Sequence, residues 1–553
     1  MKKRLGQKKV TVESLAGGGI CLLTGLLMLI LTLTAFLFTT GMEIVNEGEG
    51  VDSTVIRIFE SDESVVYYSD SFLANVIFLA VSIVACRLLL PAVSKLKFWH
   101  KAVILSVVTV AVGIMWVYSS QVKPTHDSAC VTDAALAFAQ NDFSELAGEY
   151  LKIYPYQLGY IWLCELILRA AIMVNGVPST LLVLEAANVC FLALAYVGIL
   201  LLTELFFEDK RVSHLTFLLL LFCAQPLLTC TFAYGIIPGV CFAVWAIVFQ
   251  TLWFKRNKIG FGFLSALCIG FAAVVKSNNL IVLIALLIVA ALRLRRRRQY
   301  IRDIAVMLAL VFCGLTFSPA VRVMYERRSG IPREPGMPYI AWFAMGLSES
   351  PRAPGWHSWT ASNETYAEMD FDGDALSEYS KQVIAEQISF FASHPQYARD
   401  FFYRKYVSQF NETTYQSIWN NKVRGEYGEK RAIAAWVCGD GEASVRRYMD
   451  VYSQLVFVGV LAALYLMLRR RDDAALILPL TVLGGMLFHL LAEGKSQYIL
   501  PYFMLMLPLA AWGLTVCCDG TDFLWKRFYA DRQKKAPEGP ETEAAEPDAQ
   551  AAQ

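Results

Sequence analysis

The stretch 262–298, GFLSALCIGFAAVVKSNNLIVLIALLIVAALRLRRRR, decides the fold. Two apolar runs, about 259–275 and 278–294, are parted only by Lys276, Ser277, Asn278 and their neighbours, and the second ends in a run of arginines. A helix rises 1.5 Å per residue, so about twenty apolar residues cross a hydrocarbon layer. The spacing predicts a helical pair that turns at the KSNN break. Its basic end, RLRRRRQYIR (293–302), lies at the cytoplasmic face. The pattern recurs outward in both directions, with apolar blocks at about 16–40, 71–91, 102–119, 157–174, 179–206, 212–231, 236–254, 303–322, 453–468, 474–491 and 498–517. Composition agrees: 56% of the 553 residues are hydrophobic and 18% charged, against roughly 25% charged in soluble domains. Mean hydropathy is +0.46. The expected fold class is an all-α polytopic integral membrane protein with about 12–13 apolar helices. The short alternating segments of a β-barrel are not seen.

Charge placement orients this bundle. Net charge is +1, which suggests no nucleic-acid partner. SKLKFWHK (94–101), KRNK (255–258) and RRR (469–471) read as cytoplasmic, as does Met1–Lys9, with Lys2, Lys3, Arg4, Lys8 and Lys9. The first apolar run is too long for a signal-peptide core and reads as a retained anchor. Loop 41–70 holds eight acidic residues and one basic one and reads as extracytoplasmic. The expected organisation is an N-terminal transmembrane bundle, 1–324, with outer loops 41–70 and 120–156. An extracytoplasmic region follows at 325–452, then transmembrane helices at 453–517. The tail 518–553 is cytoplasmic and compositionally disordered.

Parity poses a problem. An outer 150 and an inner 255 need an odd number of crossings between them, yet four apolar blocks intervene. Block 157–174 carries Glu165 and Arg169 and is expected to lie along the outer leaflet, leaving about twelve crossings. Residues 376–408 have helical spacing, and Pro and Gly at 332–338 and 351–355 predict irregular loops. Most of the thirteen cysteines sit in apolar blocks as small hydrophobes, while Cys130 and Cys438 fall in outer loops where a disulfide is open to them.

The polar island 123–160, KPTHDSACVTDAALAFAQNDFSELAGEYLKIYPYQLGY, stands out beside the third apolar block. Asp127 just past a membrane helix is suited to accept a proton from a hydroxyl. It is equally placed to cap a helix, since Thr125, Asp127 and Ser128 precede an apolar run. Asp133 falls on another helical face, so shared metal binding is not expected. MDFDGD (369–374) resembles a nucleotide-sugar metal motif but lacks a surrounding nucleotide fold, and it reads as an acidic surface turn.

Asp127, the alanine-rich DAALAFAQNDFS and then YLKIYPYQLG resemble the first outer loop of GT-C-fold glycosyltransferases. More narrowly, they resemble bacterial proteins related to family 39, the protein O-mannosyltransferase and aminoarabinose-transferase group. GFLSALCIGFAAVVKSNNLIVLIALLIVAAL, EPGMPYIAWFAMGLSESPRAPGWHSW, KYVSQFNETTYQSIW and AEGKSQYILPYFMLMLPLAAWGL extend the resemblance over roughly 100–515. Two positions depart from the family pattern. Ser128 follows Asp127 where a second acidic residue is frequent, and Gln497 precedes Tyr498 where arginine is frequent.

The resemblance implies a plasma-membrane enzyme of the bacterial cell envelope. It would transfer a sugar, with inversion, from a polyprenyl-phosphate donor to an extracytoplasmic glycan, lipid or protein acceptor. Asp127 would be the general base. The leaving phosphate calls for cations, with Lys152, Lys276, Arg322, Lys405 and Lys495 as candidates. Lys276 between two apolar runs carries the strongest functional expectation, against a snorkelling role. Tyr154, Tyr156, Gln157, Asn278 and Tyr498 would line the substrate site, with an aromatic belt as the competing reading for the tyrosines. His126 would orient Asp127 or hold an acceptor, or stand exposed. No cofactor is established by these residues, and a divalent metal is left open. A lipid-linked-glycan transporter or flippase stays in play through Glu185, Asn188 and His489 within apolar blocks. So does a non-catalytic role in envelope assembly.

Overall fold

A computed structural model describes residues 12–44, 63–176, 182–297, 299–332, 334–422, 430–470 and 474–535. The basic Met1–Lys9 segment, most of the acidic 41–70 loop and the tail beyond Lys535 lie outside these residues.

The chain is a multi-pass membrane protein of the all-α class, with almost no sheet among the described residues. Its long helices are α1 (Val12–Leu37), α2 (Phe72–Val93), α3 (Phe98–Ser120), α4 (His126–Ala139), α5 (Leu158–Asn175), α6 (Leu182–Phe206), α7 (Lys210–Leu221), α8 (Ile236–Arg256), α9 (Ile259–Val275), α10 (Leu280–Arg297) and α11 (Tyr300–Ser329). After them come α12 (Tyr339–Gly346), α13 (Gly373–Ser393), α14 (Pro395–Phe410), α15 (Glu442–Arg470), α16 (Ile477–Leu491) and α17 (Leu500–Lys535). Among the described residues, eleven spans are long and apolar enough to cross a membrane, with α9 and α16 as shorter apolar helices.

Helix ends follow local chemistry. Ser71 caps α2, and Asp209 caps α7 by accepting from the Arg211 amide at 2.9 Å. Asp372 of MDFDGD accepts from the Asp374 and Ala375 amides, so the acidic turn is the N-cap of α13. The helical spacing over 376–408 resolves into two helices because Pro395 starts α14 anew. α15 and α17 cross where Gly459 and Gly513 let the two backbones touch, as small residues permit in membrane packing.

Several boundaries differ from the sequence expectation. Residues 38–44 and 63–69 form an antiparallel hairpin, β1 (Phe38–Ile44) with β2 (Glu63–Ser69). It is stitched to the later outer region by Thr40 N–H to the Asn411 carbonyl and Val65 N–H to the Arg352 carbonyl. α11 runs to Ser329 and α15 begins at Glu442, because charged first and last turns continue a helix begun by apolar residues. The helix α17 continues to Lys535, past the 517 boundary. Cys130 and Cys438 are free, and Cys438 is buried.

Hairpin, α4 and α12–α14 gather at one end of the bundle, here termed the loop-rich end. At the opposite end the buried Lys101 pairs with Glu204 at 3.3 Å and Arg211 bridges Asp209 and Asp519. α5 is long and apolar enough to count as a span. Its contacts nevertheless stay at the loop-rich end. Gly159 abuts the Val274 main chain at the end of α9, Glu165 binds Tyr325 and Arg328 near the end of α11, and Arg169 binds Phe138 and Asn141 at the end of α4.

Candidate functional site

The KSNN break builds one wall of a cavity at the loop-rich end. Lys276 is extended, and Asn279 turns its amide back onto the Ala272 and Lys276 carbonyls at 3.0 and 3.1 Å. This satisfies carbonyls that the end of α9 leaves open and directs Lys276 away from its own helix.

A second turn supplies the facing group. Gly235 has φ +80°, and a Cβ there would meet the Val275 carbonyl at 2.7 Å, so glycine lets this turn sit against the KSNN break. Tyr234 before it then lies under Lys276, whose Nζ is 3.7 Å from the ring centre. Ser128 Oγ donates to the Ala233 carbonyl at 3.1 Å and brings the start of α4 to the same turn. Asp127 follows. The Tyr234 hydroxyl donates to Asp127 Oδ2 at 3.0 Å and accepts from Gln157 Nε2 at 2.9 Å.

The cavity these groups enclose is about 390 Å³. Asp127, Tyr154, Tyr156, Gln157, Lys276, Asn278, Lys495 and Tyr498 all line it, so residues as far apart as 127 and 498 converge there. Tyr234, Ser277, Tyr339, Trp342, Phe343, His357, His489 and Glu493 line it too, and sequence reasoning nominated none of these for the site. The wall continues onto apolar side chains. Ile284 of α10 lines the cavity and is 55% exposed on the flank of the bundle, and Ile288 one turn further on is exposed as well.

Burial, with the Asp127 charge adding to it, pushes the Tyr154 and Tyr234 hydroxyls up, so both remain protonated donors. Burial pushes the Lys276 ammonium down to about 7, and Asp127 opposes that shift. Tyr498 stacks on His489 and donates to Glu493 Oε2 at 3.4 Å. The site therefore holds two carboxylates and two lysines among aromatic faces. Among the described residues, no group of three or more His, Cys, Asp or Glu is placed to hold a metal ion.

Four nominated residues lie off the cavity. His126 has φ +50° and is exposed, while its neighbour Thr125 makes no side-chain cap bond. Asp127 thus serves Tyr234 and the cavity. Lys152 lies 5.8 Å from the centre of the Phe371 ring. Arg322 donates to the Glu334 and Pro335 carbonyls, fastening α11 to the loop after it. Lys405 is fully buried and donates to the Gly346 carbonyl and, at 2.8 Å, to the Ala492 carbonyl. It braces the back of the wall. Glu185 and Asn188 are buried in α6 apart from the cavity, and Asn188 donates to the Cys230 carbonyl at 3.0 Å.

The family model described as "Conserved hypothetical integral membrane protein", CHIM_prot, matches residues 27–517. The chain belongs to that family. Comparison with curated proteins gave no match. Among solved structures, the chain is similar to the oligosaccharyltransferase AglB from Archaeoglobus fulgidus in complex with an inhibitory peptide and a dolichol-phosphate. The TM-score is 0.40, with 14% identity over 81% of this chain and 53% of that one. The apo form of the Archaeoglobus fulgidus oligosaccharyltransferase gives 0.39 and 14%, over 78% and 52%. ArnT from Cupriavidus metallidurans bound to undecaprenyl phosphate gives 0.31 and 14%, over 75% and 77%. The chain spans about half the length of the archaeal enzymes it matches.

Proposed function

We propose that this protein is a membrane glycosyltransferase, moving a sugar from a polyprenyl-phosphate carrier to an acceptor hydroxyl on the extracytoplasmic side with inversion at the anomeric carbon. One observation carries the reading. A single cavity joins a carboxylate and a lysine across one tyrosine ring, and its wall runs out onto lipid-exposed isoleucine.

A polyprenyl carrier must keep its tail in hydrocarbon while its headgroup reaches water. Ile284 and Ile288 on the flank offer the tail a path, and Tyr339, 66% exposed, marks the opening on the loop side. The carrier phosphate would sit against Lys276 and Lys495. Tyr234, its hydroxyl itself held by Gln157, fixes one oxygen of Asp127, leaving Oδ1 to take a proton.

In the reaction, Asp127 takes the acceptor O–H proton as the acceptor oxygen bonds to the anomeric carbon from the face opposite the phosphate. The bond from that carbon to the phosphate oxygen breaks, and its electron pair leaves with the polyprenyl phosphate. The transition state is oxocarbenium-like, and the lysines stabilise the charge growing on the leaving oxygen. The resemblance of the 123–160 and 262–292 segments to GT-C enzymes supports the same reading.

Compositional analysis of envelope glycans from cells with and without the gene tests it. One glycan should lack a single sugar when the gene is absent. The same missing sugar with its lipid-linked donor accumulating on the cytoplasmic face, and not on the outer face, would instead favour a flippase.

A further inference from the structure

His489, on the last turn of α16, is the feature that phosphate binding and Asp127 leave unexplained. It lines the cavity and is 1% exposed. Neither ring nitrogen has a side-chain hydrogen-bond partner, and the main chain of Glu493 is the neighbouring polar group. A buried imidazole without partners is costly, since its polar atoms have given up water for nothing. Its orientation is fixed all the same. The ring stacks on Tyr498 at 5.7 Å and meets the edges of Phe488 and Tyr502, and its own carbonyl accepts from Gln409 Nε2 at 3.2 Å. A side chain held this firmly beside a cavity, with no side-chain partner on either nitrogen, is arranged for a ligand.

The chemistry of that ligand follows from the donor and acceptor inventory. A neutral imidazole presents one donor and one acceptor. A phosphate oxygen only accepts, and it already has two lysines for partners. A sugar hydroxyl both donates and accepts. Glu493 reaches the same cavity 8% exposed and adds a carboxylate acceptor, which suits hydroxyls and repels phosphate. Its position is set by its own N–H, which donates to the Trp342 carbonyl at 2.9 Å. Trp342 and Tyr498 supply flat apolar faces of the kind that pack on sugar C–H surfaces.

We infer that His489 and Glu493 form the hydroxyl-recognising subsite for the sugar carried by the lipid, across the Tyr498 ring from the Lys276 that takes its phosphate. This rests on the transferase reading above. His489 is then a specificity-determining residue, and it acts in binding the sugar.

The test uses full-length protein in nanodiscs. The probes are undecaprenyl phosphate bearing glucose, mannose or galactose, against bare undecaprenyl phosphate. Wild type should bind at least one sugar-bearing carrier more tightly than the bare one. His489→Phe, which keeps a ring but loses both nitrogens, should weaken that carrier about tenfold and leave the bare carrier unchanged, the effect of losing one or two hydrogen bonds. His489→Gln, which keeps a donor and an acceptor, should recover part of the loss. If His489→Phe binds the favoured carrier as wild type does, the subsite is wrong and the transferase reading stands. If wild type binds no carrier of either kind, both fall together. Equal weakening of bare and sugar-bearing carriers also overturns the subsite, because His489 would then be a structural support.

Discussion

The ammonium of Lys276 lies 3.7 Å above the centre of the Tyr234 ring, on the wall of the cavity. Burial there brings it down to about 7. An anion beside a lysine favours the charged form, so binding a phosphodiester carrier should draw in a proton above pH 7. Affinity for undecaprenyl-phosphate-glucose, whose single charge is constant, should be full below pH 7. It should fall as pH rises from 7 towards 9, by at most tenfold per unit. Lys276→Met should bind weakly and without pH dependence. The same shift bears on folding. The unfolded lysine holds its proton to about 10.4, so between about 7 and 10.4 the unfolded chain binds more protons and stability from this group rises with pH. A pH-independent wild-type affinity between 6 and 9 would count against Lys276 as the phosphate contact.

Tyr234 has two separable roles. Its ring faces Lys276 and its hydroxyl holds Asp127. Tyr234→Phe keeps the first and loses the second. A hydrogen bond to a charged group contributes about 1.5–3 kcal/mol, so turnover should drop about 10- to 100-fold while carrier affinity stays within about threefold. Weaker carrier binding with unchanged turnover would show that the hydroxyl serves the carrier.

Lys405 gives a contrasting expectation. Its ammonium bonds the Gly346 and Ala492 carbonyls and has no place in the cavity. Lys405→Met leaves two buried carbonyls without partners, at a cost of about 2–4 kcal/mol. Thermal unfolding in detergent should come at a lower temperature, with bare-carrier affinity in the folded fraction unchanged. Loss of carrier affinity without loss of stability would return Lys405 to the phosphate site.

The contacts of α5 make a topological prediction. On a background with the exposed Cys130 and Cys190 changed to serine, Gln140→Cys and Met173→Cys should react with an impermeant maleimide from the same side of the membrane, opposite to Glu208→Cys. Met173 is 82% exposed, and Gln140 and Glu208 are exposed as well. Labelling of Met173→Cys from the Glu208 side would make α5 a crossing.

The spans were legible because hydrocarbon imposes one length and one polarity on every crossing, and because arginines such as those at 293–297 mark helix ends. Lys276 was legible for the same reason, as a charge where lipid tolerates none. Tyr154, Tyr156 and Gln157 stood in a polar island that the fold could not hide. Tyr234 was missed because it falls in a four-residue gap, 232–235, between the apolar blocks 212–231 and 236–254, with no charge to mark it. The available signal was Gly235 with Pro238, a break that sets the preceding side chain at a helix end. Glu493 and His489 lay within or beside the AEGKSQY segment already singled out, but their approach to Asp127 depends on packing across some 360 residues. The burial of Lys405 was invisible for a related reason. Its carbonyl partners come from residues 346 and 492, and helical spacing records only which face a residue occupies. The hairpin went unread because Phe38–Thr40 falls in the tail of the first apolar block, while its partner Glu63–Ser69 lies in the acidic 41–70 loop.

The central claim is that Asp127 takes the acceptor proton as the sugar leaves its lipid phosphate. The most direct measurement is release of bare polyprenyl phosphate from polyprenyl-phosphate-[14C]sugar by purified protein in nanodiscs with envelope acceptor, comparing wild type with Asp127→Asn. Loss of a general base costs about 10²- to 10⁴-fold. Asp127→Asn should therefore fall by that factor, with wild-type thermal stability and carrier affinity within a few-fold of normal. Turnover by Asp127→Asn at the wild-type rate, in a folded protein that binds its carrier, would contradict the claim.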